Sequence, residues 1–296
     1  MSEPSDSKAS VGVLRIGLLH PGAMGAAVGA ALRAAGHEVL WASEGRSPAT
    51  LERADAAGLV DAGSIDALAV RCDAVVSVCP PHAAQDVVDR VLGAGFRGLY
   101  LDANAVAPAS ARAVGDAVTA AGGTFVDGGI IGGPPTRPGT TWLHLAGAEA
   151  PRVAAWFAAG PFETSIVSDR PGDASALKVA FAAWTKGSTA LRAAMLAYAE
   201  AAGVREALRT QWEAYEPGFL ADAEAKVQRS AWKAWRFEGE MHQIAAAFDA
   251  EGVQPEFHLA AAETYRRLSP LRDADAPEGK PELARVLAAL RAEGER

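Results

Sequence analysis

Cysteine is nearly absent from this chain: Cys72 and Cys79 are the only two thiols in 296 residues. They cannot build a disulfide framework and lack metal-ligand spacing, so the sequence predicts reduced structural thiols, a cytoplasmic setting and no metal. Aromatic residues are also few, at 7%. No apolar run is long enough to cross a bilayer, so no membrane partner is expected. Basic charge is not in excess. With 28 Lys and Arg against 36 Asp and Glu, the net charge is −8 and the basic residues are scattered, which leaves no footprint for nucleic acid. Half of the residues are hydrophobic, enough for a substantial core in about two domains. The opening MSEPSDSKAS is polar and has no apolar h-region, so residues 1–12 read as a flexible N-terminus.

What is present is most informative between Arg15 and Ser47. An apolar strand runs into the turn His20, Pro21, Gly22, Ala23, Met24, Gly25. A small-residue helix follows, Gly36 ends it, and a second strand begins at about His37. This order describes a dinucleotide-binding βαβ unit, whose glycines admit a pyrophosphate and whose helix N-terminus offers free amides to an anion. The fingerprint is imperfect, because His20 stands where the first glycine of GxGxxG is expected. His20 itself would line the pyrophosphate or pack beneath the turn. After the second strand come Ser43, Glu44, Gly45, Arg46 and Ser47. Arg46 with Ser43 and Ser47 suits the 2′-phosphate of NADP, whereas Glu44 argues for the ribose hydroxyls of NAD. The reading prefers NADP, with Arg46 as an ordinary loop residue as the alternative.

Apolar strands alternate with helical stretches to about residue 168. They predict a doubly wound, mostly parallel α/β sheet covered on both faces, a Rossmann domain over residues 13–170. Strands are expected at Arg15–Leu19, Glu38–Ala42, Ala74–Cys79, Gly98–Asp102, Thr124–Asp127, Thr141–Ala146 and Thr164–Val167. From 171 to 296 the pattern is all-helical. A long first helix from about Gly172 to Ala202 is followed by interruptions at Gly203, Glu216 to Gly218, Gly252 to Pro255 and Ser269 to Pro281. Trp212, Trp232, Trp235, Phe237 and Phe248 are expected in its core or at a subunit interface.

Ligands of open α/β sheets bind at the carboxyl ends of the strands, and several segments fall there. Cys79, Pro80 and Pro81 turn the chain over the expected nicotinamide position, although the prolines would equally serve a helix start. Asn104, just after Asp102, offers an amide toward the crevice. The pairs Gly128-Gly129 and Gly132-Gly133 leave backbone N–H groups open to a substrate, or form a turn without a ligand. Lys178 lies about two turns into the long helix among Ala, Leu, Val and Phe. Such a lysine reaches a substrate or counter-ion, or snorkels to water. Burial beside a cationic nicotinamide would lower its pKa toward a useful range. Thr185 lies near the same helical face, and Trp184 and Lys186 are further candidates for the cleft. Glu240 and His242 read as surface positions.

Taken together, HPGAMG, DANAVAP, DGGIIGG and GDASALK resemble, in order and spacing, the β-hydroxyacid dehydrogenase family, which is related to 6-phosphogluconate dehydrogenase and imine reductases. The resemblance covers roughly residues 14 to 250. It is closest to a branch with an HPG turn and a divergent C-terminal domain. It implies an NAD(P)-dependent oxidoreductase whose helical domain builds a homodimer. It further implies that Lys178 is the acid/base, and that Asp102 to Pro108, with Asn104, and Gly132-Gly133 bind substrate. Three family residues are replaced: a serine by Asn104, a serine by Ile131 and an asparagine by Ala182. A bulkier or less polar substrate than 3-hydroxyisobutyrate is therefore expected. The alternatives are an imine reductase, in which Lys178 would be incidental, and a non-catalytic NADP-binding redox sensor.

Overall fold

The computed structural model describes residues 12–273 and 281–291, so the expectation for residues 1–11 lies outside the described residues. The chain forms two compact units that divide after Lys178.

The first unit contains β1 (Arg15–Leu19), α1 (Ala23–Ala34), β2 (Glu38–Trp41), α2 (Pro48–Ala56), β3 (Val60–Asp61), α3 (Ile65–Arg71), β4 (Ala74–Ser77), α4 (Ala84–Gly93), β5 (Leu99–Asp102), α5 (Pro108–Ala120), β6 (Thr124–Ile131), β7 (Trp142–Ala146), α6 (Ala150–Ala155) and β8 (Glu163–Ser168). Its last six residues open α7 (Asp173–Ala201), which continues into the second unit. The eight strands form one sheet in the order β3-β2-β1-β4-β5-β6-β7-β8. Strands β1 to β6 are mutually parallel; β7 runs antiparallel to β6, and β8 is parallel to β7.

Side-chain alternation explains why both sheet faces are covered. Ile16, Leu18, Val76, Leu101 and Val126 point to one face and pack with Val28 and Leu32 of α1, Val153 of α6 and Trp156 just after it. Leu19, Val75, Tyr100 and Phe125 point to the other and pack with Leu68 of α3, Val88 of α4 and Val114 of α5. Strands buried on both faces must be apolar at successive positions, which is how these strands read. Each fully buried Leu or Ile contributes about 1.5–3 kcal/mol of transfer free energy.

The chain leaves β1 toward β2 and β3 on one side and returns to β4, β5 and β6 on the other. The reversal between β1 and β4 opens a crevice at their carboxyl ends, where such sheets take ligands. The expected strands are all present. The two-residue β3 is additional, being too short to carry a periodic signal. Strand β4 stops at Ser77, short of the expected Cys79. Strand β6 runs on to Ile131, which corrects the placement of Gly128-Gly129 in an open turn. Both glycines are paired in the ladder, opposite Leu145 and His144, so their amides belong to the sheet edge shared with β7.

The second unit is helical throughout its described residues: the rest of α7, then α8 (Arg205–Tyr215), α9 (Phe219–Ala231), α10 (Ala234–Ala250), α11 (Glu256–Leu268) and α12 (Leu283–Leu290). Leu196, Leu220, Val227, Met241, Ile244, Tyr265 and Leu287 form its core. Trp212, Phe237 and Phe248 pack against that core, whereas Trp232 and Trp235 are 42% and 45% exposed. The break between α9 and α10 at Trp232 and Lys233 has neither Gly nor Pro and was not expected.

Candidate active site

The turn after β1 supplies the left-handed backbone that the missing first glycine would have given. His20 has φ 65°, and among the described residues it alone combines a non-glycine side chain with positive φ. Histidine is one of the residue types enriched there. The Gly22 amide closes a tight turn on the His20 carbonyl at 2.7 Å. A Cβ on Gly25 would collide with that same carbonyl oxygen, so α1 can approach the turn only with glycine at this position. A Cβ on Gly22 would meet nothing, so the chain opens to solvent there. No side chain caps the first turn of α1, which leaves its amides and the positive end of its dipole for an anion.

Cations gather around this turn. Arg46, half-buried after β2, has a buried Nε with no hydrogen-bond partner, and His20 Nδ1 is likewise buried and unpartnered. Burial, then the charges of Arg46 and Arg90, pushes His20 down to about 4. Arg46 is itself lowered by burial and by Arg90. Among the described residues neither arginine forms an ion pair with a carboxylate. Arg53 of α2 donates from Nε to the Pro21 carbonyl at 3.3 Å, which braces the turn. Sequence reasoning missed Arg53 and Arg90, because both lie on ordinary amphipathic helices. Positively charged, uncompensated and beside uncapped amides, this corner fits the phosphates of a dinucleotide.

Of the hydroxyls expected beside Arg46, Ser43 is committed elsewhere, since its side chain and backbone N–H donate to Asp61. Ser47 is exposed and pairs with Thr50 Oγ1 at 3.1 Å. Glu44 is exposed. Pro80 is exposed, and Pro81 starts a short 3-10 turn, Pro81–Ala83, ahead of α4.

The ends of β4, β5 and β6 carry a buried polar cluster. Asn104, 2% exposed, accepts from the Cys79 amide through Oδ1 at 2.5 Å and donates from Nδ2 to Ser77 Oγ at 3.0 Å. Its amide thus sets the shape of the Cys79 loop. Asp102, 1% exposed, accepts the Asn104 N–H on Oδ1 at 2.8 Å, while Oδ2 is buried without a partner. Burial raises its carboxyl to about 7; the Asn104 N–H opposes this, Asp127 adds to it, and the Asn104 side chain and Lys178 lower it.

Asp127 faces Asp102 in register on β6. It holds the start of α7: Gly172 N–H and Ser175 N–H donate to Oδ2 at 2.9 Å each, and Ser175 Oγ donates to Oδ1 at 2.6 Å. Gly129 permits the close contact. A Cβ there would lie 2.6 Å from the Ala174 carbonyl oxygen and 3.4 Å from Lys178 Cβ. Lys178 therefore rises, half-buried, from a helix turn fastened to β6, within electrostatic reach of Asp102. Gly132 and Gly133 are exposed just beyond β6, and Thr141 Oγ1 donates to the Gly133 carbonyl at 2.5 Å.

Trp184 and Thr185 belong to the part of α7 in the second unit. Thr185 Oγ1 bonds back to the Phe181 carbonyl at 3.1 Å. Thr185 shares the helical side of Lys178, but Trp184 projects about a third of a turn away and is 72% exposed. Lys186 Nζ pairs with Glu240 Oε2 at 2.9 Å, so both serve the helical fold.

Residues 15–155 match the family model described as the NAD binding domain of 6-phosphogluconate dehydrogenase, and residues 199–268 match a domain of unknown function, DUF1932. Among solved structures, the chain is 26% identical to a conserved protein of unknown function described as similar to 3-hydroxyacid dehydrogenases, covering 87% of this chain and 98% of that one with a TM-score of 0.68. It shares its fold with a 3-hydroxyisobutyrate dehydrogenase from Mycobacterium tuberculosis solved with L-serine, at 19% identity, 95% and 100% coverage and a TM-score of 0.71. It also shares it with an imine reductase variant from Myxococcus stipitatus in complex with NAD+, at 21% identity, 94% and 99% coverage and a TM-score of 0.55. The chain thus joins an amino-terminal region that matches the NAD binding domain of 6-phosphogluconate dehydrogenase to a carboxy-terminal region that matches DUF1932.

Proposed function

We propose that the protein is an NADP-preferring oxidoreductase that interconverts a hydroxyl and a carbonyl group on a β-hydroxyacid type of substrate, with Lys178 as its acid/base. The observation that carries this reading is the placement of Lys178. Asp127 and Gly129 fix it on a latched helix turn at the carboxyl edge of a dinucleotide-binding sheet.

His20, Pro21, Gly22, Ala23, Met24 and Gly25 would hold the pyrophosphate through the uncapped amides of α1. Arg46 and Ser47 would hold the 2′-phosphate, with Arg90 adding charge. When bound, the nicotinamide supplies or accepts the hydride. Lys178 Nζ then takes the hydroxyl proton on oxidation or returns it to the carbonyl oxygen on reduction. The Gly132 and Gly133 amides would orient an anionic or carbonyl group of the substrate, and Asn104 maintains the Cys79-Pro80-Pro81 loop beside it. Ile131, in place of a polar family residue, favours a less polar substrate.

The helical half supports a homodimer. Phe181, Trp184, Leu191 and Tyr198 are 48%, 72%, 59% and 74% exposed and recur at heptad-like spacing along α7. The two free thiols agree with a reducing, cytoplasmic setting.

The test is a panel of hydroxyacids, carbonyl compounds and cyclic imines followed by NADPH absorbance, with Lys178→Met beside the native protein. Loss of hydroxyacid turnover in the variant, with cofactor affinity kept, is expected. Imine reduction that survives Lys178→Met would establish the imine reductase instead. Tight NADP binding with no turnover across the panel would establish a non-catalytic sensor.

A further inference from the structure

Strand β7 carries an open side-chain row next to the root of Lys178. Residues paired across a sheet point to the same face. The register sets His144 opposite Gly129 and Trp142 opposite Ile131, and on β8 it sets Ser165 opposite His144 and Glu163 opposite Trp142. This is the face that α7 crosses, because a Cβ on Gly129 would lie 3.4 Å from Lys178 Cβ. Directly opposed side chains in such a ladder start about 4.5–5.5 Å apart and diagonal ones about 7–8 Å apart. His144 is therefore the position next to the base of Lys178. Trp142 is the diagonal one, in the row that leads into Gly132-Gly133.

The two sides of β7 are used differently. Leu143 and Leu145 alternate with Trp142 and His144, point to the opposite face and are fully buried in the core. Trp142 adds nothing to that core and remains 40% exposed, beside the half-buried Ile131. A rigid, half-open indole is the kind of side chain on which binding energy concentrates.

Charge decides what this row accepts. Glu163, exposed across from Trp142, accepts the Gly139 N–H at 3.1 Å and is negative at neutral pH. His144 Nδ1 is held by Ser165 Oγ at 2.6 Å, and burial lowers the imidazole below its ordinary 6.5, so it is neutral there. No positive charge lies along this row from Ile131 to Glu163 or from Gly129 to Ser165. An anionic group gains nothing here and meets the Glu163 carboxylate, whereas an uncharged flat group can cover the indole.

We propose that Trp142 is a specificity-determining residue, the wall on which the substrate lays an uncharged aromatic arm, with the Ser165-held imidazole of His144 at the polar end of that wall. The substrate class is then a β-hydroxyacid, or its carbonyl counterpart, that bears an aryl group. Its carboxylate lies toward the Gly132 and Gly133 amides and its ring on Trp142. The proposal rests on the reading of Lys178 as acid/base for a β-hydroxyacid and narrows that reading.

Calorimetry on the full chain with NADP present tests it with two probes, 3-hydroxy-3-phenylpropanoate and 3-hydroxybutanoate. The aryl probe should bind at least about tenfold more tightly than the alkyl one, as stacking and apolar burial on an indole imply. Trp142→Ala should remove that preference while changing the alkyl affinity less than about twofold, and Trp142→Phe should keep most of it. If Trp142→Ala does not fold, the indole N–H resonance of Trp142 serves instead, identified among the seven tryptophans by its loss in Trp142→Phe. The aryl probe should shift it by its ring current and the alkyl probe should not. Equal affinities for the two probes, no binding of either, or an indole resonance unmoved by the aryl probe overturns the proposal. A preference for the aryl probe that depends on Trp142, in a chain that turns over neither probe, would refute the proposed reaction alone. Turnover of both probes with equal affinity would refute this inference alone.

Discussion

The carbonyl oxygen of His20 occupies the space that a Cβ on residue 25 would fill, so the left-handed turn of one residue requires glycine at the other. Gly25→Ala must therefore push α1 off the turn. A loss of about 2–4 kcal/mol in urea unfolding is expected, together with loss of dinucleotide binding by calorimetry. His20→Gly should behave oppositely. It relieves a left-handed conformation that costs an ordinary residue about 1–2 kcal/mol, so it should be neutral or stabilising despite the added freedom of the unfolded chain. Destabilisation by His20→Gly would mean that the imidazole packs more than it strains.

Arg46 and Arg90 stand together without a carboxylate between them. Removing Arg46 should weaken NADP binding about 10–100-fold, the worth of a charge-assisted contact, and leave NAD binding nearly unchanged. Arg90→Ala should act in the same direction by a smaller factor, because its side chain is exposed. Equal losses for both dinucleotides would place Arg46 at the pyrophosphate instead.

His20 provides a proton readout of the same site. Its folded value of about 4 lies below the ordinary 6.5, so the stability it contributes is complete above 6.5 and is lost as pH falls through about 4. A phosphate that neutralises Arg46 and Arg90 should raise it. Binding at pH 5 should therefore take up protons, seen as a dependence of the calorimetric enthalpy on buffer ionisation heat. Identical enthalpies in all buffers would argue against an anion beside the imidazole.

For Asp102 the sign is reversed. Its folded value, about 7, lies above the ordinary 3.8, so its contribution to stability is full below 3.8 and declines as pH rises through about 7. Asparagine does not titrate. Relative to the native chain, Asp102→Asn should gain stability at up to about 1.4 kcal/mol per pH unit across that window. Urea unfolding at pH 5 and pH 8 measures the difference, and parallel pH profiles would contradict it.

The apolar side of α7 gives a test of assembly. Trp184→Glu with Tyr198→Glu should convert a dimer to a monomer in sedimentation, with the helical content unchanged, because both side chains are exposed within their own unit. A native chain that sediments as a monomer would remove the dimer proposal.

The fold was largely legible because buried parallel strands and small-residue helices leave strong periodic signals. The first-glycine position looked defective only because a sequence does not display φ; the backbone at His20 has the conformation that glycine usually supplies there. The site was less legible for a different reason. A sequence shows which side chains carry amides and hydroxyls, but not which ones the fold has already used. Asn104 and Ser43 already hold partners within the fold, whereas Asp102, which looked like a strand terminus, has the unmet oxygen. Arg53 and Arg90 gave no signal at all, since their importance arises from distant segments meeting at one corner.

The Asp127 clasp has an evolutionary implication. Because the sheet itself sets the origin of α7, the amine is inherited with the nucleotide-binding half, and the later helices are free to diverge. Substitutions in those helices would then leave Lys178 at its station over β6.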